Sequence, residues 1–224
     1  CCCFQARATR EFYTLSLHDA LPIYAQIQRY LKVIPSFFVP NAFCVLTDLA
    51  DTRVGSITAP EDRFVEWKTS DGNTEEEGIA RVSTMIKGMC APERLLDLIE
   101  NFICFDSTPK RKVKIVAGYH QYYAVKKAVN RAIMAVYGGQ DVPESQRKKI
   151  GVFWHTQGSG KSLSMVFFVH ATMQAIKSPT FVVVTDRNQL DDQLFAQFAA
   201  CKDFLHQDPV QATSKRHRSE ERRV

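Results

Sequence analysis

With 224 residues, 45% of them hydrophobic and 24% charged, the chain has the composition of an ordinary globular protein and enough material for one large domain or two small ones. No apolar run approaches the ~20 residues that span a bilayer, so neither a transmembrane helix nor a membrane partner is expected. The net charge is +5, but Lys215, Arg216, Arg218, Arg222 and Arg223 against Glu220 and Glu221 put three of those five charges at the extreme end; the body is nearly neutral, which gives no ground for a nucleic-acid-binding class.

In chain order, "EFYTLSLHDALPI" (11–23) and "RSEERRV" (218–224) stand apart from the rest. The stretch His18 to Ile23 can be encoded by a DNA whose reverse complement, shifted by one nucleotide, reads Ser-Glu-Glu-Arg-Arg, as at Ser219 to Arg223. Both ends resemble the translation of a sequencing adapter, so roughly residues 1–23 and 213–224 are expected to be non-native and are set aside in reading the fold; a mobile N-terminus and a basic tail would be the ordinary alternative. From Tyr24, "YAQIQRYLKVIP" reads as the end of an amphipathic helix halted by Pro35. "FCVLTD" (43–48) and "TRVGSIT" (52–58) alternate apolar and polar residues around a short connection, a hairpin pattern. "EDRFVEWKT" (61–69) follows, and "SDGNTEEEG" (70–78) predicts a polar loop or joint.

"APERLLDLIENFICF" (91–105) predicts an amphipathic helix with Pro92 near its first turn and Leu95, Leu96, Ile99, Phe102 and Ile103 at helical spacing. The basic stretch "PKRKVKIVAG" (109–118) leads into a second helix over 119–137, and "GGQDVPESQRKK" (138–149) is a connector. Then the pattern switches. "KIGVFW" (149–154), a Gly-rich turn, a helix starting at Lys161 and the β-branched "PTFVVVTD" (179–186) predict a βαβ unit and with it a parallel sheet.

The turn is "HTQGSGKS" (155–162), which supplies Gly158, Gly160, Lys161 and Ser162 of the phosphate-loop pattern Gly-x-x-x-x-Gly-Lys-Ser/Thr, with His155 at the first glycine. Backbone N–H groups must wrap closely around phosphate oxygens, and the two glycines nearest the lysine do that work. Thr156, Gln157, Gly158, Ser159 and Gly160 are therefore the expected cradle. Lys161 is the expected catalytic residue, reaching the β- and γ-phosphates, and Ser162 the ligand of Mg²⁺. A Gly-Ser loop between core elements would share the glycines but not the placement between a strand and a helix.

"GVFWHTQGSGKSLSMVFF" (151–168) followed by "FVVVTDRNQLDDQLF" (181–195) resembles the motor region of the R subunit of type I restriction-modification enzymes, superfamily 2 helicase-like DNA translocases coupled to an endonuclease. The resemblance runs over most of 24–206. It implies a partial RecA-like P-loop NTPase lobe of α/β class, preceded by the tail of a restriction-endonuclease-like domain. "YHQYYAV" (119–125) looks like the Q-motif that reads adenine, which makes Gln121 the implied adenine contact; an amide can both donate to and accept from that edge. "VVVTDRNQLDDQL" looks like the motif beside the DNA track, near which Thr185, Asp186 and Arg187 would lie, while Asp191 and Asp192 serve the next helix. "QIQRY" places Gln26 and Tyr30 one helical turn apart, resembling the Gln-x-x-x-Tyr element behind the nuclease core; an ordinary amphipathic helix would look the same.

The implied organisation is a non-native segment at 1–23, the end of a nuclease-like domain at 24–72, a helical linker at 73–108, the N-terminal part of the helicase ATP-binding domain at 109–212 and a non-native tail at 213–224. The implied cofactors are ATP and Mg²⁺. The implied partners are double-stranded DNA and the methyltransferase and specificity subunits. Cys1 to Cys3 in a row and four isolated cysteines form neither a zinc spacing nor a disulfide framework, which suits a reducing cytosol; the resemblance implies that of a bacterium or archaeon.

No acidic pair ends an apolar run after Asp186, and "EWK" (66–68) lacks a paired upstream Asp, so neither the Walker B element nor the nuclease carboxylates are expected within the chain. The expected fragment thus binds nucleotide weakly at best and neither hydrolyses it efficiently, translocates nor cuts DNA. The competing classes are another P-loop NTPase or helicase-like DNA-binding protein, a stand-alone P-loop kinase, and a non-enzymatic DNA-binding module.

Overall fold

The computed structural model describes residues 2–5, 20–47, 51–76, 81–107, 112–138, 143 and 148–212, with side chains from Ile23 onward. A four-stranded sheet runs β1 (Cys2–Gln5), β2 (Cys44–Thr47), β3 (Thr52–Gly55), β4 (Val65–Glu66). The expected hairpin forms, with Cys44 opposite Gly55 and Thr47 opposite Thr52. β2 is buried along its whole length because its two faces serve different cores. Cys44 and Leu46 pack with Ile23 and Ile27 of α1 (Ala20–Val33), together with Phe38, Ile57 and Phe64. Val45 and Val54 face the larger core instead. α1 ends before Pro35, which starts a single 3-10 turn, Pro35–Phe38, as its fixed φ and missing N–H dictate.

The leading segment departs from expectation. Cys2–Gln5 pairs in parallel with β2, and α1 begins at Ala20, so residues set aside as outside the fold contribute a strand and a helix start. β3 covers only one edge of β2, and an extended segment on the other satisfies its ladder. Residues 6–19 and 213–224 lie outside the described residues.

The middle of the chain gives α2 (Arg81–Gly88), α3 (Pro92–Asn101), β5 (Ile103–Asp106), β6 (Val113–Val116) and α4 (Tyr119–Tyr137). α3 is shorter than its periodicity predicts. Phe102, fully buried, closes it, and Ile103 starts a strand antiparallel to β6. Leu98 is the buried residue of α3, whereas Leu96 and Ile99 face solvent. α4 has the predicted bounds; its Tyr122, Val125, Val129 and Ala132 recur at helical spacing and turn inward. The first three join a core with Phe102, Met89, Leu98 and Trp67, and with Val166 and Phe167 of α5 (Lys161–Ala175). α6 (Asn188–Ala200) and α7 (Lys202–Leu205) follow, and Cys201 and Leu205 reach the same core.

The predicted βαβ unit is present only in its helix. Residues 149–154 and 181–185 form neither strand nor helix, and the described sheets hold only β1 to β6. Val152, Trp154, Val182 and Val184 are consequently exposed. A parallel strand is held by neighbours on its flanks, and neither run pairs with a described strand. No described helix is long and apolar enough to cross a membrane.

Candidate functional site

α5 begins at Lys161 directly after the loop, so the loop sits at the helix N-terminus, where unpaired N–H groups and the helix dipole favour an anion. Gly158 and Gly160 both have left-handed backbones, φ +81° and +77°. That conformation is cheap only for glycine. His155 is not among the residues with positive φ, which removes the geometric need for a glycine at the first position of the motif. A Cβ placed on Gly158 would meet nothing within 4 Å. One placed on Gly160 would lie 2.6 Å from Gln121 Nε2.

The Lys161 ammonium folds over the loop and donates to the carbonyls of His155 at 2.8 Å and Thr156 at 2.9 Å. Those oxygens stand where phosphate oxygens would compete for it. Inside the loop the Ser159 N–H reaches the Thr156 carbonyl at 3.4 Å. Among the described residues, no side chain accepts from the N–H of Gly158, Gly160 or Lys161. The Oγ of Ser159 and the Nδ1 of His155 are buried without a hydrogen-bond partner. Burial, then His120, then Lys161 hold the His155 imidazole below its ordinary pKa, so the ring is neutral beside the ammonium. Backbone amides, an ammonium and the Ser162 hydroxyl fit a magnesium-bound polyphosphate.

Gln121 is buried and acts on the loop itself. Its Oε1 accepts the Gly118 N–H at 3.0 Å, closing the first turn of α4. Its Nε2 donates to the Gly160 carbonyl at 3.0 Å, with the Ser159 carbonyl at 3.4 Å. Both amide hydrogens are turned to the loop backbone rather than presented to a base. Beside it, His120 Nε2 lies 3.1 Å from the Ser159 carbonyl.

A cleft of about 240 Å³ opens next to His120 and His155, between the N-terminal half of α4 and residues 69–75. That segment is an ordered turn. The Asp71 carboxylate accepts the N–H groups of Asn73 at 2.8 Å and Thr74 at 3.2 Å, and these bonds hold its pKa down to about 2. Three side chains at four-residue spacing on α4 grip it. Tyr119 donates to Glu75 at 2.8 Å, Tyr123 to the Ser70 carbonyl at 3.2 Å, and Lys127 to the Gly72 carbonyl at 3.1 Å. Burial, then Glu75, push the Tyr119 hydroxyl up to about 12.

The remaining sequence-derived residues are scattered. Gln26 does donate to the Tyr30 hydroxyl, at 2.8 Å, on the exposed side of α1. Asp186 and Arg187 are exposed and 3.8 Å apart, and Thr185 reaches Asp191 at 3.4 Å, ahead of α6. In the "EWK" stretch, Glu66 is paired with Arg81, and Trp67 is core. No group of three His, Cys, Asp or Glu among the described residues could hold a metal ion. His120 and the stripe Tyr119, Tyr123, Lys127 were not anticipated. The spacing of the stripe at i, i+4 and i+8 was the available signal, but it marks a face without naming what covers it.

A family model for the SWI2/SNF2 ATPase matches residues 120–221. With the mixed helix and sheet architecture, it fits an α/β helicase-like lobe. The type I restriction enzyme HindI endonuclease subunit of Haemophilus influenzae is 38% identical over 203 residues, 88% of this chain and 19% of its own length. From Methanocaldococcus jannaschii, the putative type I restriction enzyme MjaIXP endonuclease subunit is 33% identical over 189 residues, 76% of this chain and 17% of its own. The putative MjaVIIP endonuclease subunit of the same organism is 36% identical over 193 residues, 80% of this chain and 17% of its own. The chain therefore spans less than a fifth of the length of these curated relatives.

Proposed function

Because this chain belongs to the type I restriction enzyme endonuclease subunits, we propose that residues 156–162 bind the triphosphate of ATP with Mg²⁺. Amides of the loop take the phosphate oxygens, the Lys161 ammonium exchanges its two carbonyl partners for the β- and γ-phosphates, and Ser162 completes the coordination of Mg²⁺. Gln121 would reach adenine only by exchanging a loop carbonyl for the base edge. The observation that carries the reading is the loop: two left-handed glycines at the start of α5, with the lysine already folded across the ring of carbonyls.

The parent protein is proposed to be the ATP-dependent translocating and cleaving subunit of a type I restriction enzyme. It would act on double-stranded DNA in a bacterial or archaeal cytoplasm, together with methyltransferase and specificity subunits. Residues 24–72 would then belong to its nuclease-like domain, with Gln26 and Tyr30 in that domain's motif, and Thr185, Asp186 and Arg187 would lie along the DNA. The Mg²⁺-holding acid, the group that orients water and the nuclease carboxylates would lie elsewhere in that parent, so this chain alone would bind nucleotide without efficient turnover. Lys161→Ala in the full-length parent should abolish ATP hydrolysis while leaving the protein folded; hydrolysis at the wild-type rate would refute the loop assignment.

A further inference from the structure

The nucleotide reading leaves open what aims the amides of the loop. A trans peptide unit is planar, with its C=O and the N–H of the next residue pointing in opposite directions; the described chain has no cis bond. Fixing the carbonyl of Ser159 therefore aims the N–H of Gly160, and fixing the carbonyl of Gly160 aims the N–H of Lys161. Both carbonyls are tied to the first turn of α4, and the Gly160 carbonyl also accepts the Ser164 N–H of α5 at 3.0 Å. Gln121 holds Gly160 at 3.0 Å, and His120 stands 3.1 Å from Ser159, closer than the 3.4 Å contact from Gln121. A carbonyl only accepts, so the His120 Nε2 must carry the hydrogen. The ring has little freedom to leave. It meets Tyr119 edge-on at 5.4 Å and His155 at 5.2 Å.

We propose that His120 is a positioning residue of the phosphate loop: its Nε2–H anchors the Ser159 carbonyl and thereby turns the Gly160 N–H toward a bound polyphosphate. The proposal rests on the nucleotide reading and adds to it a residue outside the Gly-Lys-Ser pattern, acting on the loop and not on the base. It also accounts for the placement of a histidine in the first turn of α4, beside the buried Gln121. Two adjacent side chains on one helical turn hold two successive carbonyls, so the helix sets two peptide planes at once.

Three versions of the 224-residue chain test it: wild type, His120→Phe, which keeps the ring contacts and deletes the donor, and His120→Gln, which restores an N–H at similar reach. Each is titrated with inorganic tripolyphosphate and with Mg-ATP, and its thermal midpoint is recorded. His120→Phe should weaken both probes by about 3- to 10-fold, and His120→Gln should return to within about twofold of wild type. The midpoints should agree within ~3 °C. Wild-type affinity in His120→Phe overturns the proposal, and so does a His120→Gln chain as weak as His120→Phe. If wild type itself binds neither probe, the nucleotide reading fails, and the role of His120 falls with it.

Discussion

Gly158→Ala and Gly160→Ala place the same methyl group on the same kind of backbone two residues apart, and the structure assigns them different costs. Both positions are left-handed, where a Cβ costs about 1–2 kcal/mol. At Gly158 that is the whole cost, since a Cβ meets nothing within 4 Å. At Gly160 the methyl would lie 2.6 Å from Gln121 Nε2, so the amide must leave the loop carbonyls. Its other end is held by the Gly118 N–H at 3.0 Å, which resists a rigid shift. Losing one net hydrogen bond adds about 1 kcal/mol, for a total of about 2–3 kcal/mol. The strain is confined to the loop, so it reduces the fraction of chains in the binding conformation. Mg-ATP affinity should fall about 5- to 30-fold for Gly158→Ala and about 30- to 150-fold for Gly160→Ala. Titration calorimetry alongside thermal unfolding measures both. Equal losses for the two variants would refute the claim that Gln121 organises the loop, and unchanged affinity in both would refute the left-handed loop as the binding conformation.

Other parts of the structure are open to the same treatment. The folded pKa of Asp71, about 2, lies below its ordinary 3.8, so the turn it stabilises is intact above about pH 4 and is lost as pH falls toward 2. Amide-exchange protection at Asn73 and Thr74 should fade across that window and be weak at every pH in Asp71→Asn; a pH-independent wild type would contradict this. Phe102 is fully buried, with ring centroids 4.7 Å from Tyr122 and 5.6 Å from Phe167. Phe102→Ala should therefore cost about 3–5 kcal/mol in urea denaturation, and a loss below ~1 kcal/mol would displace it from the centre of the core. The exposed β-branched run Val182 to Val184 lies outside the described sheets and offers an apolar surface to other chains. Sedimentation velocity should show concentration-dependent association of the chain, relieved in the double variant Val182→Lys and Val184→Lys; identical behaviour of the two would refute it.

Local signals carried well from sequence to structure. The alternation around residues 49–51 gave the β2–β3 hairpin, the apolar period gave α4, and the Gly-Lys-Ser turn gave the start of α5. What failed required knowledge of partners. Leu95, Leu96, Ile99, Phe102 and Ile103 fit one helical face, yet α3 stops at Asn101 because Phe102 and Cys104 are drawn into a core built from distant residues. Strand β6 lay hidden in a stretch read for its basic charge, and its pairing with β5 is what reveals it. The runs beside α5 have the β-branched composition of strands, but composition supplies no neighbour to pair with. Gln121 is instructive in the same way. Its position at the loop was legible, whereas the partner of its amide was not, because a base edge and a backbone carbonyl attract the same N–H.

α4 joins three kinds of interaction that differ in strength. Its buried Val125 and Val129 fix the helix against α5 by apolar contact. Its first turn fixes two loop carbonyls by hydrogen bonds, each worth only about 1 kcal/mol net. Its outer stripe holds residues 69–75 through hydroxyl and ammonium groups that are partly exposed and correspondingly weaker. Within the loop, the backbone contributes one long hydrogen bond, from Ser159 to Thr156, and the Lys161 ammonium ties the His155 and Thr156 carbonyls. The shape of the loop is therefore set in part from outside: core burial places α4, α4 holds the Ser159 carbonyl and shares the Gly160 carbonyl with the Ser164 N–H of α5, and the planarity of the peptide places the N–H groups that would face a phosphate. On this ordering, a cavity at Phe102 should loosen nucleotide binding from beneath the loop, although no atom of Phe102 belongs to the cradle.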